Sequence, residues 1–365
     1  MKEQELAAPL RVQPEAVPDL SAFLEMTSDQ RLFWVQSSPG IPGPTSWRLS
    51  TFVAFSRPRT CVAGMLAFYF ASVVSGQVPI GPLIVGMVVS YHIAAIANLY
   101  NMYTDIVEDN ENIPSRVFEL GRYGRDRLLR DTHLLTTAVF AMSLLVNPYF
   151  AALSLLALVG CHQYSFRPLR MKARPRIGIL FFANAVAYPY LSVALASDEK
   201  LHTLVRPAYF ALALYLFAWF CAKGLVKNVP DYDGDKRVNV TTSATLSATR
   251  FRAAAIAGVA NVVVYAGIAI PVAVGAIGHK YLIALLWLPV ACYQSWRLVH
   301  ATEHKSWNDM LRDDMFVSVG YLSTLILVER TTLMSVAALI AGLAVMLLSD
   351  RLGWDTRRTE DFELQ

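Results

Sequence analysis

Of 365 residues, 55% are hydrophobic and 16% charged, too few charges to cover a soluble chain of this length, so lipid must cover much of the surface. The net charge of +4 is small, and the basic residues gather in short loops between apolar runs, a distribution that orients a chain in a membrane and speaks against nucleic acid as a partner. Cys61, Cys161, Cys221 and Cys292 lie in or beside apolar runs without CxxC spacing, and read as buried small hydrophobes rather than a zinc site or disulfide framework.

Residues 1–50 read as a cytoplasmic extension. The segment is polar and proline-containing, lacks the apolar core of a secretory signal peptide, and offers one amphipathic turn near Leu32-Phe33-Trp34. Apolar runs follow at about 60–76, 79–100, 134–148, 149–162, 177–196, 206–226, 253–277, 281–298, 314–328 and 332–349. They predict an all-α, polytopic membrane helix bundle over residues 51–350. Ten transmembrane helices are expected, with nine as the alternative, because several runs fall short of the roughly 20 residues a crossing needs. The breaks at Asn147-Pro148 and Glu329-Arg330 are either tight hairpins or irregular points within longer helices. Residues 351–365 form a cytoplasmic tail.

Lys and Arg accumulate in cytoplasmic loops and test this topology independently. Arg116, Arg122, Arg125, Arg127 and Arg130 follow the second run, and Arg167, Arg170, Lys172, Arg174 and Arg176 follow the fourth. Lys223, Lys227, Lys236, Arg237, Arg250 and Arg252 attend the sixth, and Arg297, Lys305 and Arg312 the eighth, while the alternate loops hold little more than Lys200, Arg206, Lys280 and Arg330. Both termini then face the cytoplasm, the second marked by Arg351, Arg357 and Arg358.

Two acidic stretches, Asn101 to Asp109 and Asn228 to Asp235, each follow directly on a long apolar run on that same side, in a coarse internal repetition. On a continuous helix Asn101, Asp105 and Asp109 drift only about 80° around the axis over roughly 12 Å, so they share one face. Asp231 and Asp235 repeat the spacing, with Asp233 turned away and Pro230 weakening the case for continuous helix. Carboxylates at that depth are costly unless a cation neutralises them. Oxygen-only ligands select hard cations, so Mg²⁺ bridging a diphosphate between Asp105, Asp109, Asp231 and Asp235 is the natural reading. Tyr164-Ser-Phe-Arg-Pro-Leu-Arg170-Met-Lys172, with Arg57-Pro-Arg59-Thr60 at the first run, adds phenolic and cationic donors on the same side; taken alone, each basic set reads as ordinary flanking charge.

These motifs resemble the UbiA superfamily of intramembrane prenyltransferases. Asn101, Asp105 and Asp109 match its NxxxDxxxD motif; Asp231 and Asp235 match its second DxxxD, within Lys227 to Asp235; Tyr164 to Lys172 matches its Tyr-Ser-x-Pro-Pro-Leu-Arg-x-Lys loop except that Arg167 replaces the first proline. After the first motif the chain keeps Asn112 and Pro114 of Asn-x-Pro-x-x-Pro but diverges from Ser115 to Gly121.

The resemblance implies a helix bundle around a central cavity open to lipid, in the cytoplasmic membrane with the active-site mouth on the cytoplasmic side. It implies a prenyl diphosphate held through Mg²⁺, with Asn101, Tyr164 and Lys172 in the catalytic set and Arg57, Arg170, Lys227 and Asn228 on the substrate, and transfer of the prenyl group to a small aromatic or quinone-precursor acceptor. Tyr91, Tyr103, Tyr164, Phe181, Phe182, Tyr188, Phe217, Trp219 and Phe220 are candidates for π faces steadying an allylic cation, of which two or three are expected to line the cavity. His92 reads as a helix-packing hydrogen-bonder. The alternatives are a terpene cyclase of the same scaffold, acting without acceptor, and a cation-coupled transporter, which would place its aspartates within the spans rather than at their ends.

Overall fold

The computed structural model describes residues 17–76, 78–197 and 201–354, apart from the side chains at 201, 304 and 305; Arg357 and Arg358, assigned above to the tail, lie outside it. Among the described residues every regular element is helical. Three short helices open the chain, α1 Leu20–Glu25, α2 Ser28–Ser37 and α3 Thr45–Ser56, followed by α4 Pro58–Ser75 and α5 Ile80–Thr104. The first acidic stretch continues as α6 Ile106–Asn112 and leads into α7 Pro114–Tyr123, α8 Arg125–Leu144 and α9 Pro148–Ser165. Next come α10 Pro175–Phe182, α11 Asn184–Ala196, α12 Leu201–Leu204 and α13 Pro207–Asn228. The second acidic stretch forms α14 Tyr232–Arg237, and the chain ends with α15 Arg250–Ala266, α16 Ala269–Ala273, a 3₁₀ segment His279–Trp287, α17 Leu288–His300, α18 His304–Glu329 and α19 Leu333–Arg351.

Local chemistry sets many of these boundaries. Proline occupies the first turn of α4, α7, α9, α10 and α13, where its missing N–H costs nothing. The break at 147–148 is a hairpin: Asn147 caps α9 by accepting from the Phe150 N–H at 2.9 Å and donates to the Leu195 carbonyl at 2.7 Å. The break at 329–330 likewise separates two helices, the second capped by Thr332. The run at 177–196 is two helices, α10 and α11, bent by 45° at their junction.

At the centre, α4 packs against α5, α11, α18 and α19. Close approach depends on glycine: a methyl group on Gly64 would lie 2.9 Å from the Ala185 carbonyl oxygen, and one on Gly86 would overlap the Phe68 ring. Large apolar side chains including Leu156, Phe210, Val259, Leu286 and Ile340 remain more than half exposed, an outward apolar surface suited to lipid. Six helical segments are long and apolar enough to cross a bilayer, and the bent pair makes a possible seventh by length and composition. The expected nine to ten is not reached on that measure because α8 and α18 carry several charges and α9 ends in His162-Gln163.

Helix α3 runs across residue 50, α2 packs on α6 and α7, and α1 packs on α7. The predicted turn near Trp34 is a full helix with a Thr27–Gln30 capping box. It is seated by aromatic burial, with Phe23 5.4 Å from Trp34 and 5.3 Å from Phe118, and Trp34 stacked on Phe118 at 5.8 Å. Phe23→Ala is therefore expected to cost about 3–5 kcal/mol of docking energy, the usual range for deleting a buried Phe ring. Thermal unfolding in detergent should show a lowered melting temperature, and limited proteolysis should cut the 20–37 segment faster than in the parent protein.

Candidate active site

The two acidic stretches meet at one end of the bundle. Helix α5 ends at Asp105, whose N–H still bonds the Asn101 carbonyl at 2.8 Å, and α6 continues almost in register, with the Asp109 N–H on the Asp105 carbonyl at 2.7 Å. In the second stretch the helix does stop: α13 ends at Asn228, Pro230 intervenes, and Asp231 opens α14. The stretches touch where α14 crosses α6. Gly234 permits this, because a methyl group there would overlap the Asn112 side-chain amide. That amide donates to Asp235 Oδ1 at 3.4 Å, and Arg237 lies 3.7 Å from Glu111.

A polar cavity of about 110 Å³ lies between them. Asn101, Asp105, Asp109, Tyr164, Lys172, Lys227, Asn228, Asp231 and Asp235 all line it, together with Glu108 and Asn112. Lys172 arrives on a 3₁₀ turn, Met171–Ala173, entered through Arg170 with φ 36°. Its ammonium pairs with Asp105 and donates to Thr104 Oγ1 at 2.8 Å. Asn101 accepts from the Ser165 hydroxyl at 2.7 Å, and Asn228 donates to Ser243 at 2.8 Å, so both amides are held in place.

The charges in this cavity are badly solvated. Burial, with Lys227 nearby, lowers the Lys172 ammonium to about 7. Burial foremost, then the Asp231 carboxylate, holds Asp235 well above the ordinary carboxylate range. Glu108 is also raised, chiefly by burial, although Arg170 pairs with it at 3.0 Å. Asp109 is gripped by buried Arg116, which reaches both carboxylate oxygens at 2.9 Å. Among the described residues no three carboxylate, imidazole or thiolate groups converge on one point, since Asp105 and Asp109 are drawn toward Lys172 and Arg116. The donor set nevertheless suits a hard divalent cation: every candidate ligand is an oxygen, and a cation would offset both the burial and the Asp231 charge that raise Asp235.

Two predicted residues stand apart from the lining. Arg170 acts on the cavity through Glu108. Arg57 is the left-handed junction between α3 and α4, its φ 51°, and its carbonyl accepts the Thr60 hydroxyl at 2.8 Å; it is not among the cavity residues. Its arginine-proline signature marks where α4 starts. Asp233 also faces away, paired with Arg250 at 2.5 Å. Of the nine aromatic candidates, Tyr164 and Phe182 line the cavity, stacked on Phe181 at 5.6 Å and Phe220 at 5.1 Å. His92 bonds the Val88 carbonyl one turn back at 2.8 Å. Glu108, Asn112 and Arg116 escaped sequence reasoning as site residues; only their position beside the first motif could have flagged them.

Bundle and site together set a carboxylate-rich polar cavity at one end of a helical bundle with helices long and apolar enough to cross a membrane. The sequence profile described as the UbiA prenyltransferase family matches residues 60–320. The chain belongs to that family and is a prenyltransferase. It is 26% identical over 206 residues to the digeranylgeranylglyceryl phosphate synthase of Saccharolobus solfataricus, covering 54% of this chain and 68% of the relative. Its fold is similar to that of a solved digeranylgeranylglyceryl phosphate synthase (TM-score 0.54, 17% identity, 77% of this chain and 98% of that one). It is equally similar to a UbiA homologue from Archaeoglobus fulgidus bound to DMAPP and Mg²⁺ (TM-score 0.54, 14% identity, 77% and 100%). Family membership displaces the transporter reading.

The α6–α14 crossing makes a prediction. Gly234→Ala should destabilise the protein by about 1–3 kcal/mol through overpacking against Asn112. Adding Asn112→Ala should recover part of the lost thermal stability, a coupling read from the melting temperatures of the two single variants and the double variant.

Proposed function

We propose that this protein ionises an isoprenoid diphosphate in the polar cavity and transfers the prenyl group to an acceptor. The observation that carries the reading is that two acidic motifs 126 residues apart line one cavity, Asp105 and Asp109 from the first and Asp231 and Asp235 from the second, together with Lys172 and Lys227. These four carboxylates would hold Mg²⁺, which when bound neutralises the diphosphate and favours its departure.

The chain's own residues do the rest. Lys172 exchanges its Asp105 partner for a diphosphate oxygen, a move that suits an ammonium poorly solvated where it stands. Lys227 and the Tyr164 hydroxyl donate to the remaining oxygens, Asn101 and Asn228 orient the carboxylates beside them, and Arg170 steadies the loop through Glu108. The prenyl tail then runs past Phe182 and Phe220 into a lipid-open chamber between helices, where aromatic faces steady the allylic cation and keep water away. We place α8, α9 and α18 in the membrane beside the seven spans, with both termini and the cavity mouth on the cytoplasmic side of the cytoplasmic membrane. Support comes from the arginines of α7, α8 and the 166–176 loop, which lie at the same end as the motifs.

Two acceptor classes fit. An aromatic or quinone-precursor ring is the reading from the motifs. A prenylated glyceryl phosphate is favoured by the relative from Saccharolobus solfataricus, whose product carries that group. Mass spectrometry of products formed from a panel of prenyl diphosphates separates them, and a cyclic product formed without any acceptor would identify a cyclase instead.

Asp105→Ala or Asp231→Ala is expected to lower Mg²⁺-dependent diphosphate release by about 100-fold or more, in the range for losing one strong transition-state contact. Asp233→Ala, which faces Arg250 instead, should stay within about threefold. Full release by either of the first two variants, or release that survives removal of divalent cations by EDTA, would reject the site.

A further inference from the structure

Helix α6 presents five consecutive polar side chains, and a different neighbour holds almost every one. Arg170 holds Glu108 at 3.0 Å, Arg116 holds Asp109 at 2.9 Å, Arg31 holds Asn110 at 2.9 Å, Ser28 holds Glu111 at 2.7 Å, and Asn112 reaches Asp235 at 3.4 Å. With seven residues, α6 carries the ladder on from α5 across Asp105, where the backbone leaves helical geometry at φ −93° and ψ 22°, and these contacts hold it in place beyond that junction.

Two of the holding residues come from α2, outside the span matched by the family profile. Arg31 donates through Nε to Asn110 Oδ1 and through its two terminal nitrogens to the carbonyls of Leu24 and Asn110, at 3.4 and 3.5 Å. Asn110 returns its amide hydrogens to the Ser28 hydroxyl at 2.6 Å and the Ser28 carbonyl at 3.3 Å. Asn110 is 1% exposed while Arg31 and Ser28 are half-buried, and a polar network satisfied on both partners fixes one geometry. The other end of α2 is anchored by Trp34 on Phe118, so the clamp has a firm base.

We propose that Arg31 and Ser28 are positioning residues for the reaction. Through Asn110 and Glu111 they fix the direction in which α6 carries Asp109, and hence the spacing between the first pair of carboxylates and Asp231 with Asp235. Neither residue lines the cavity. The inference rests on the metal-site reading of that cavity.

The test combines hydrogen–deuterium exchange on the metal-free full-length protein with titration of Mg²⁺. In Arg31→Ala and Ser28→Ala, the peptide covering 105–113 should exchange about tenfold faster while peptides from α13 keep their rates. The Mg²⁺ concentration for half-maximal diphosphate release should rise about tenfold, within the usual span of coupling between two sites, and turnover at saturating Mg²⁺ should fall much less. Arg31→Ala combined with Asn110→Ala should be no worse than the more affected single variant. Ser28→Ala, the milder change, carries the test if Arg31→Ala lowers the melting temperature. Unchanged exchange at 105–113, an unchanged Mg²⁺ midpoint, or a uniform rise in exchange along the whole chain would overturn the proposal. Asp231→Ala measured in parallel separates the two readings: full release there defeats the metal site, whereas its loss alongside parent-like behaviour at Arg31 and Ser28 defeats only the clamp.

Discussion

Five carboxylates, those of Asp105, Glu108, Asp109, Asp231 and Asp235, border one small cavity at the end of an apolar bundle, and their mutual repulsion is the constraint from which most of the local architecture follows. Water relieves it only in part, because Asp109 and Asp235 are buried. The chain answers with cations from separate elements: Lys172 from the 3₁₀ turn, Arg116 from α7 and Arg170 from the 166–174 loop. Burial, ahead of the neighbouring Asp231, holds Asp235 above the carboxylate range, and burial with Lys227 nearby holds Lys172 below the ammonium range. In the proposed reaction, exchange of these internal ion pairs for a divalent cation and a diphosphate would relieve both.

Glycine and asparagine make that arrangement geometrically possible. Gly234 lets α14 lie on Asn112, and Asn112 then spans from the first motif to the second. The bundle behind supplies the fixed frame, since α5 and α13 deliver the motifs from their ends and pack into the same apolar core. Docking of α1 and α2 on α6 and α7 adds a second, separate aromatic cluster around Phe23, Val35 and Phe118. The acidic end is thus braced from the bundle side and from the N-terminal side.

Much of this was legible in the residue order. The spacing of Asn101, Asp105 and Asp109, repeated at Asp231 and Asp235, placed the motifs at helix ends, and the Tyr164 to Lys172 loop brought its phenol and ammonium to the same cavity. Even the turning away of Asp233 followed from its offset on the helix. Contacts made across long sequence separations were not legible. Arg31 and Ser28 sit in a polar segment where the turn near Leu32-Phe33-Trp34 hints at burial but names no partner, and Arg116 looks like any other flanking charge until Asp109 is seen beside it. Arg57 stands at the start of α4, outside the lining of this cavity. The count of crossings exceeded what length and hydropathy support because α8 and α18 mix membrane-like and charged turns in one helix, and an apolar run alone does not say which turns meet lipid.

The central claim, that both motifs grip one ligand, is tested most directly by determining the structure with Mn²⁺ in place of Mg²⁺ and a non-hydrolysable prenyl diphosphate analogue. The account predicts anomalous scattering peaks between the two motifs, each ion touching the analogue, with Asp105 or Asp109 and Asp231 or Asp235 both within coordination distance. Ions bound to only one motif, or an analogue seated away from this cavity, would contradict it.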